Sequence, residues 1–192
     1  MTGPKVIMLS GKAGAGKDTV ASHLALKYGY YQIAFADPMR QLLATLVKYQ
    51  GADPQTVIRS IYDRDVKEKP NPFFGDKSYR QAMQTLGTEW GRDCMGEDFW
   101  ARIALNRIKR AWHESEHWVI SDLRFPNERA IFEEEFGGQM EHWEILRNDC
   151  EEVANHLSES ALKDVTPDIL LTNHTSLETL YGAVDELIEG WE

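Results

Sequence analysis

Gly11, Gly14 and Gly16, followed at once by Lys17, crowd the run KVIMLSGKAGAGKDTVA at Lys5–Ala21. Glycine lets a backbone turn tightly and bring its N–H groups against an anion. A helix start adds free N–H groups and the positive end of a dipole. The apolar residues Val6–Leu9 read as a buried strand before the glycines, and Asp18–Tyr28 reads as a helix after them. Strand, glycine loop, lysine and helix is the order of a phosphate-cradling loop. Ala13 and Ala15 fill the positions between the glycines, and Lys17 brings a mobile charge to the outer phosphates. Asp18 stands where Ser or Thr is usual. Its carboxylate suits a magnesium ion held directly or through water, and Thr19 is the nearest hydroxyl.

Two further carboxylates follow apolar runs. Asp122 closes HWVIS at His117–Ser121, where phosphate-loop proteins carry the acid that organises magnesium. Asp37 follows YQIAF at Tyr31–Phe35 and stands before Pro38, so it reads equally as a proton acceptor, a substrate-orienting group or a helix N-cap. Moving a phosphoryl group between two anions calls for cations, and the planar fork of arginine suits phosphate. Arg40, Arg80, Arg92, Arg124 and Arg147 fall at strand exits or on a polar helix face, and at least two are expected to touch phosphate. The six histidines show no metal-ligand spacing; His23 and His113 read as bland. Most of the six tryptophans fall at core-facing positions, with Trp90 and Trp100 the candidates for stacking on a base.

The elements that must position these groups alternate. After the first helix, whose Val20, Leu24 and Tyr28 are at helical spacing, come strand Tyr31–Phe35 and a helix with Leu42, Leu43, Leu46 and Val47 as its apolar face. Asp53-Pro54 marks a helix start, and Lys67–Pro72 reads as an exposed loop. The spacing predicts a helix over Ser78–Trp90 with Tyr79, Met83, Leu86 and Trp90 on one face and Arg80, Gln84 and Thr88 on another. Glu97–Trp112 is a further helix, and strand His117–Ser121 is followed by a helix from about Asn127 to Phe136. Gln139–Leu146 and Asp168–Leu171 read as the fourth and fifth strands. A last helix buries Leu177, Leu180, Val184 and Leu187 behind the capping-box spacing Thr175-x-x-Glu178. Strands alternating with helices call for a five-stranded parallel sheet covered on both faces, a three-layer α/β/α fold of the P-loop NTPase type. Its ligands belong beyond the strand C-termini. We expect a single domain over 1–192, with 51–77 a substrate-side insert and the polar 148–165 a lid.

The chain has 192 residues, enough for one such domain with a sizeable core. Its net charge of −10 argues against coating DNA or RNA, though not against binding one nucleotide. Cys94 and Cys150 make no disulfide framework, and no apolar run is long enough to span a membrane. The reading is a soluble, cytoplasmic protein.

Taken together, the motifs resemble those of the deoxynucleoside monophosphate kinases best known from bacteriophages. The resemblance rests on GKAGAGKDTVA at Gly11–Ala21, FADPMR at Phe35–Arg40, QTLGTEWGRD at Gln84–Asp93, DLRFPNE at Asp122–Glu128, HLSES at His156–Ser160 and the Asn173-containing loop. It covers most of the chain in order, and Asp after the loop lysine is familiar in that family. The resemblance implies a nucleoside-monophosphate-kinase-like fold and transfer of the ATP γ-phosphoryl group to a deoxynucleoside 5′-monophosphate. On it, Gly14, Gly16, Lys17, Asp18 and Thr19 hold the ATP phosphates and Mg2+, the metal falling to Asp18 and Asp122. Asp37, Arg40, Arg80, Gln84 and Arg92 face the monophosphate, with Thr88 and Trp90 of the same block beside them. Asp122 and Arg124 lie between the nucleotides, Arg147 reaches in from the lid, Asn173 lies near the adenine, and Glu159 faces the site in no assigned role.

Two other readings stay open: a related kinase acting on dephospho-coenzyme A or phosphomevalonate, and a nucleotide-binding switch without an acceptor. The sequence leaves open which bases are accepted, and also the oligomeric state, with which a homodimer is compatible.

Overall fold

The computed structural model describes residues 3–63, 65–111, 117–147, 161–162 and 164–191. The chain divides into two compact units, Met1–Phe35 with Ala101–Glu192, and Ala36–Trp100.

The first unit is built on five parallel strands: β1 (Val6–Ser10), β2 (Tyr30–Ile33), β3 (His117–Ile120), β4 (Met140–Leu146) and β5 (Ile169–Thr172). Their order is β2-β3-β1-β4-β5, with Val6 beside both Trp118 and Met140. β1 is buried along its whole length because both faces of the sheet are covered. Its alternate residues sort the core. Ile7 and Leu9 pack with Val20 and Leu24 of α1 (Lys17–Tyr28) and with Leu180, Val184 and Ile188 of the C-terminal helix Leu177–Glu189, here α7. Val6 and Met8 pack with Ala104 and Ile108 of α5 (Phe99–Arg110) and Phe132 of α6 (Pro126–Phe136).

From β1 to β2 the chain moves one way across the sheet; from β3 to β4 it moves the other. Right-handed crossovers then place α1 and α6 on opposite faces, as the two core clusters require. The reversal falls at β1, where a doubly wound sheet opens a crevice at its strand C-termini.

Three expectations are corrected here. β2 stops at Ile33, because the next backbone groups leave the ladder and the Phe35 N–H turns to the Asp122 carboxylate. The cap of α7 is Ser176, whose Oγ accepts from the Thr179 N–H at 3.2 Å, so the Thr175–Glu178 spacing is coincidental. Leu177 is thereby 55% exposed, and Ile188 takes an inward place.

The second unit is helical: α2 (Asp37–Tyr49), α3 (Pro54–Tyr62), α4 (Tyr79–Thr85) and a π-helical stretch, Leu86–Cys94. The inward stripe of α2 is Met39, Leu43 and Val47. Leu42 and Leu46 lie about 100° round the helix from it and are half exposed, against expectation. Asp53 caps α3 by accepting from the Gln55 and Thr56 N–H groups. In the connection to α4, Asn71 is buried; its amide donates to Ser60 Oγ at 3.3 Å and its Oδ1 accepts from the Phe73 N–H. Ser78 and Gln81 form a reciprocal capping box at the start of α4.

The sequence predicts one α-helix to Trp90; the structure widens it into π geometry from Leu86. The Trp100 indole explains why. Its Nε1 donates to the Gly87 carbonyl at 2.9 Å, and a Cβ at Gly91 would overlap the ring. Trp100 is therefore buried and committed to the backbone, which removes it as a platform for a base. Trp90, expected to face inward, is 40% exposed and packs edge-on to Phe99.

Candidate active site

The phosphate loop occupies the exit of β1. Gly11, Gly14 and Gly16 have φ of 134°, 79° and 112°, in the left-handed region that side chains avoid. Gly11 also lies against β4, where a Cβ would collide with the Ile145 carbonyl. Gly16 is the N-cap of α1 and offers no side chain to its first N–H groups, which leaves them for an anion. A Cβ on Gly16 would come to 2.7 Å from Asn173 Nδ2, so glycine is needed for that close approach as well. Lys17 folds over the loop, its Nζ donating to the carbonyls of Gly11 at 2.6 Å and Lys12 at 2.9 Å. Ala13, Ala15, Asp18 and Thr19 complete the loop and first turn, with Asp18 exposed and Ala15 buried.

The strand order brings two distant residues to this loop. Asn173, just past β5, donates through Nδ2 to the Ala15 carbonyl at 2.8 Å. Arg147, just past β4, donates to the Gly14 carbonyl at 3.4 Å. Asp122 follows β3, and its Oδ1 accepts from the Phe35 N–H at 2.7 Å. Its neighbours are held too: Ser121 N–H donates to Ile33 O and Leu123 N–H to Leu9 O. The carboxylate is thus fixed across the C-terminal ends of β1, β2 and β3. Arg124 is exposed, and its backbone N–H, with that of Phe125, donates to the carboxylate of Glu128. Glu128 is a buried acid that tethers the DLRFPNE turn from inside the first turn of α6.

The remaining site residues belong to the second unit. Asp37 is the first residue of α2, whose N-cap is Ala36, so Asp37 is no cap. Its Oδ1 accepts from Arg40 at 2.8 Å. Arg80 donates to Glu68 at 2.7 Å and Arg92 to the Glu97 carbonyl at 3.0 Å. Gln84 is exposed and Thr88 half-buried. Between these, Tyr79 is buried with its hydroxyl unpartnered among the described residues; burial pushes it up to about 12 against the pull of the Arg40 charge. Glu159, the HLSES block and most of the expected lid lie outside the described residues.

Sequence reasoning missed one polar group. Ser10 is buried at the end of β1, with Oγ 2.7 Å from Nε2 of His142, itself 1% exposed on β4. Arg129 of α6 lies 3.4 Å from His142 Nδ1, donates to the Thr166 carbonyl at 2.6 Å and pairs with Asp168. The available signal was Ser10 closing the otherwise apolar strand β1 and His142 at an inward position of β4.

Among the described residues there is no cluster of three or more His, Cys, Asp or Glu that could hold a metal. An ion carried mainly by phosphates, as magnesium is, needs only one or two carboxylates, and Asp18 and Asp122 are residues that could supply them.

The family model for deoxynucleotide monophosphate kinase matches residues 66–184. A protein of Acanthamoeba polyphaga mimivirus, provisionally named a deoxynucleotide monophosphate kinase, is 30% identical over 96% of each chain. The deoxynucleotide monophosphate kinase of Escherichia phage RB69 is 27% identical over 64% of this chain and 50% of its own. Dephospho-CoA kinase from Campylobacter jejuni superposes with a TM-score of 0.50 at 10% identity, over 98% of this chain and 97% of its own, a likeness of fold alone. With a glycine loop at the first helix and matches of this extent, the chain belongs to the deoxynucleotide monophosphate kinase family.

Proposed function

We propose that the protein transfers the γ-phosphoryl group of ATP to a deoxynucleoside 5′-monophosphate, giving the diphosphate and ADP. The observation that carries this is the built phosphate loop, with Lys17, Arg147 and Asn173 already on its carbonyls, in a chain of this family. An oxygen of the acceptor phosphate attacks the γ-phosphorus while the bond to the β-bridging oxygen breaks. Lys17 exchanges its carbonyl partners for phosphate oxygens, and the loop N–H groups and α1 terminus hold the rest of the chain of charge. Asp18, Thr19 and Asp122 would hold Mg2+, which would neutralise charge on the phosphates. Asn173 borders the adenine.

On the acceptor side, Asp37 orients Arg40, and Arg80, Gln84, Thr88, Trp90 and Arg92 bind the monophosphate. The arginine–acid pairs at Arg40 and Arg80 are half exposed, so an incoming phosphate competes with a partner that water already screens. Arg124 and Arg147 offset charge on the transferring group. Segment 51–77 serves the acceptor side as part of one catalytic domain. The viral relatives fit a place in bacteriophage deoxynucleotide metabolism in the cytoplasm.

The test is ADP release with ATP and magnesium and, in turn, each of the four deoxynucleoside monophosphates, AMP, dephospho-coenzyme A and phosphomevalonate. Turnover with one or more deoxynucleotides, lost in Lys17→Ala, is expected. Turnover with a non-nucleotide acceptor alone would move the protein to a sister activity. No stimulation by any acceptor would leave a nucleotide-binding switch.

A further inference from the structure

The buried polar line behind the phosphate loop takes no part in the chemistry above. It begins at Ser10, the residue before Gly11, and runs through His142 to Arg129, the Thr166 carbonyl and Asp168. His142 N–H also donates to Asp168 Oδ2 at 2.8 Å, so its strand and its side chain are anchored together.

Arg129 decides how this line is wired. A guanidinium has only donors, so the facing Nδ1 of His142 must accept and its proton must sit on Nε2. Nε2–H then donates to Ser10 Oγ. Burial, with the Arg129 charge added and Asp168 opposing, lowers His142 to about 4, which keeps this one arrangement at neutral pH. The groups that face the ring are Ser10 from β1, Arg129 from α6 and Asp168 ahead of β5; Glu133, 3.8 Å from Arg129 Nε, completes the charge around it.

The consequence falls on Gly11. Its carbonyl accepts from Lys17 at 2.6 Å, while its Cα lies against the Ile145 carbonyl. The start of the loop is thus held by β4 through the ladder that ends at Ser10 and Glu144, through the close approach at Gly11 and through the Ser10–His142 side-chain bond. Without that side-chain bond, the Gly11 peptide, just beyond the ladder, is freer to rotate, and with it the carbonyl that parks Lys17 and the N–H groups that follow.

We propose that Ser10, His142 and Arg129 are positioning residues that fix the entry of the phosphate loop in its nucleotide-binding arrangement. This rests on the reading of the loop as an ATP site, so the primary readout is ATP binding itself. Calorimetric titration of the full chain with ATP and magnesium is compared for wild type, Ser10→Ala, His142→Leu and His142→Gln, together with KM for ATP, KM for the monophosphate and melting temperature. We expect Kd and KM for ATP to rise about 5- to 30-fold in Ser10→Ala and His142→Leu. KM for the monophosphate should stay unchanged, and His142→Gln, whose amide can still donate to Ser10, should recover part of the loss. ATP affinity unchanged in both Ser10→Ala and His142→Leu would overturn the proposal, even with a lowered melting temperature, because the line would then be only a piece of core. A wild-type chain that does not bind ATP would overturn the functional reading, and this inference with it. ATP binding without turnover of any monophosphate would sink the acceptor assignment alone, with the Ser10 and His142 comparison still deciding the proposal.

Discussion

The two units carry charge in opposite ways. In the sheet unit, the loop that would take phosphate is held by backbone: three glycines in left-handed geometry, a helix start, and carbonyls that park Lys17, Arg147 and Asn173. In the helical unit, two of the three arginines that would take phosphate are held by side chains, Arg40 by Asp37 and Arg80 by Glu68, and Arg92 donates to the Glu97 carbonyl. Backbone geometry is rigid and local, so substituting around it breaks binding outright. Side-chain pairs are exchangeable, so substitution there grades affinity. On the proposed function, the difference means that the nucleotide triphosphate side is built in advance and the acceptor side would be released from internal pairs on binding.

That contrast can be broken from either side. Lys17→Ala should have the largest effect, lowering kcat about 100- to 1000-fold with the fold intact, as read by steady-state ADP release and circular dichroism. Arg80→Ala should raise KM for the monophosphate about 10-fold or more while leaving KM for ATP alone, and Arg147→Ala should do the reverse; equal effects on both constants in either variant would erase the division.

Stability sharpens the contrast next. His142 is held neutral in the fold, its pKa lowered from 6.5 to about 4 by burial and Arg129. The unfolded chain therefore binds the extra proton in that window. Stability is complete above the unfolded value and falls with pH towards about 4, by up to about 3 kcal/mol. Urea unfolding at neutral pH and at about pH 5 should show the loss, and His142→Gln should flatten it. Gly91→Ala in the helical unit forces a methyl into the Trp100 indole and should cost about 1–3 kcal/mol, whereas Gly138→Ala in the sheet unit, with open space around it, should be nearly neutral. A small effect belongs to Asp185 on α7, which gathers His23, Tyr28 and Lys27. Asp185→Asn should lower stability by about 1 kcal/mol or less by thermal unfolding.

How much was legible in the residues follows the same divide. Glycine conformation and helix start are local, so Gly11–Lys17 could be read directly, and alternation of strands and helices put Arg147 at a strand exit before any pairing was known, whereas Asn173 was singled out only by the family resemblance. Ser10 and His142 could not be joined that way, because their bond depends on the register that sets Met8 beside His142 and Ser10 beside Glu144. The π stretch was missed for a related reason: its cause is the Trp100 indole, thirteen residues beyond the Gly87 carbonyl it holds. Leu42 and Leu46 misled because apolar spacing alone does not say which of two adjacent stripes of α2 is covered. Asp37 as cap or functional group was undecidable from sequence; the cap at Ala36 removes the first reading.

The most direct test of the division is hydrogen–deuterium exchange with one ligand at a time. ATP with magnesium should slow exchange at Gly11–Thr19 and around Asn173, leaving Arg80–Arg92 as it was. A deoxynucleoside monophosphate alone should protect Asp37–Arg40 and Arg80–Arg92 and leave the glycine loop unchanged. Protection of the loop by the monophosphate alone, or of neither region by either ligand, would contradict the account.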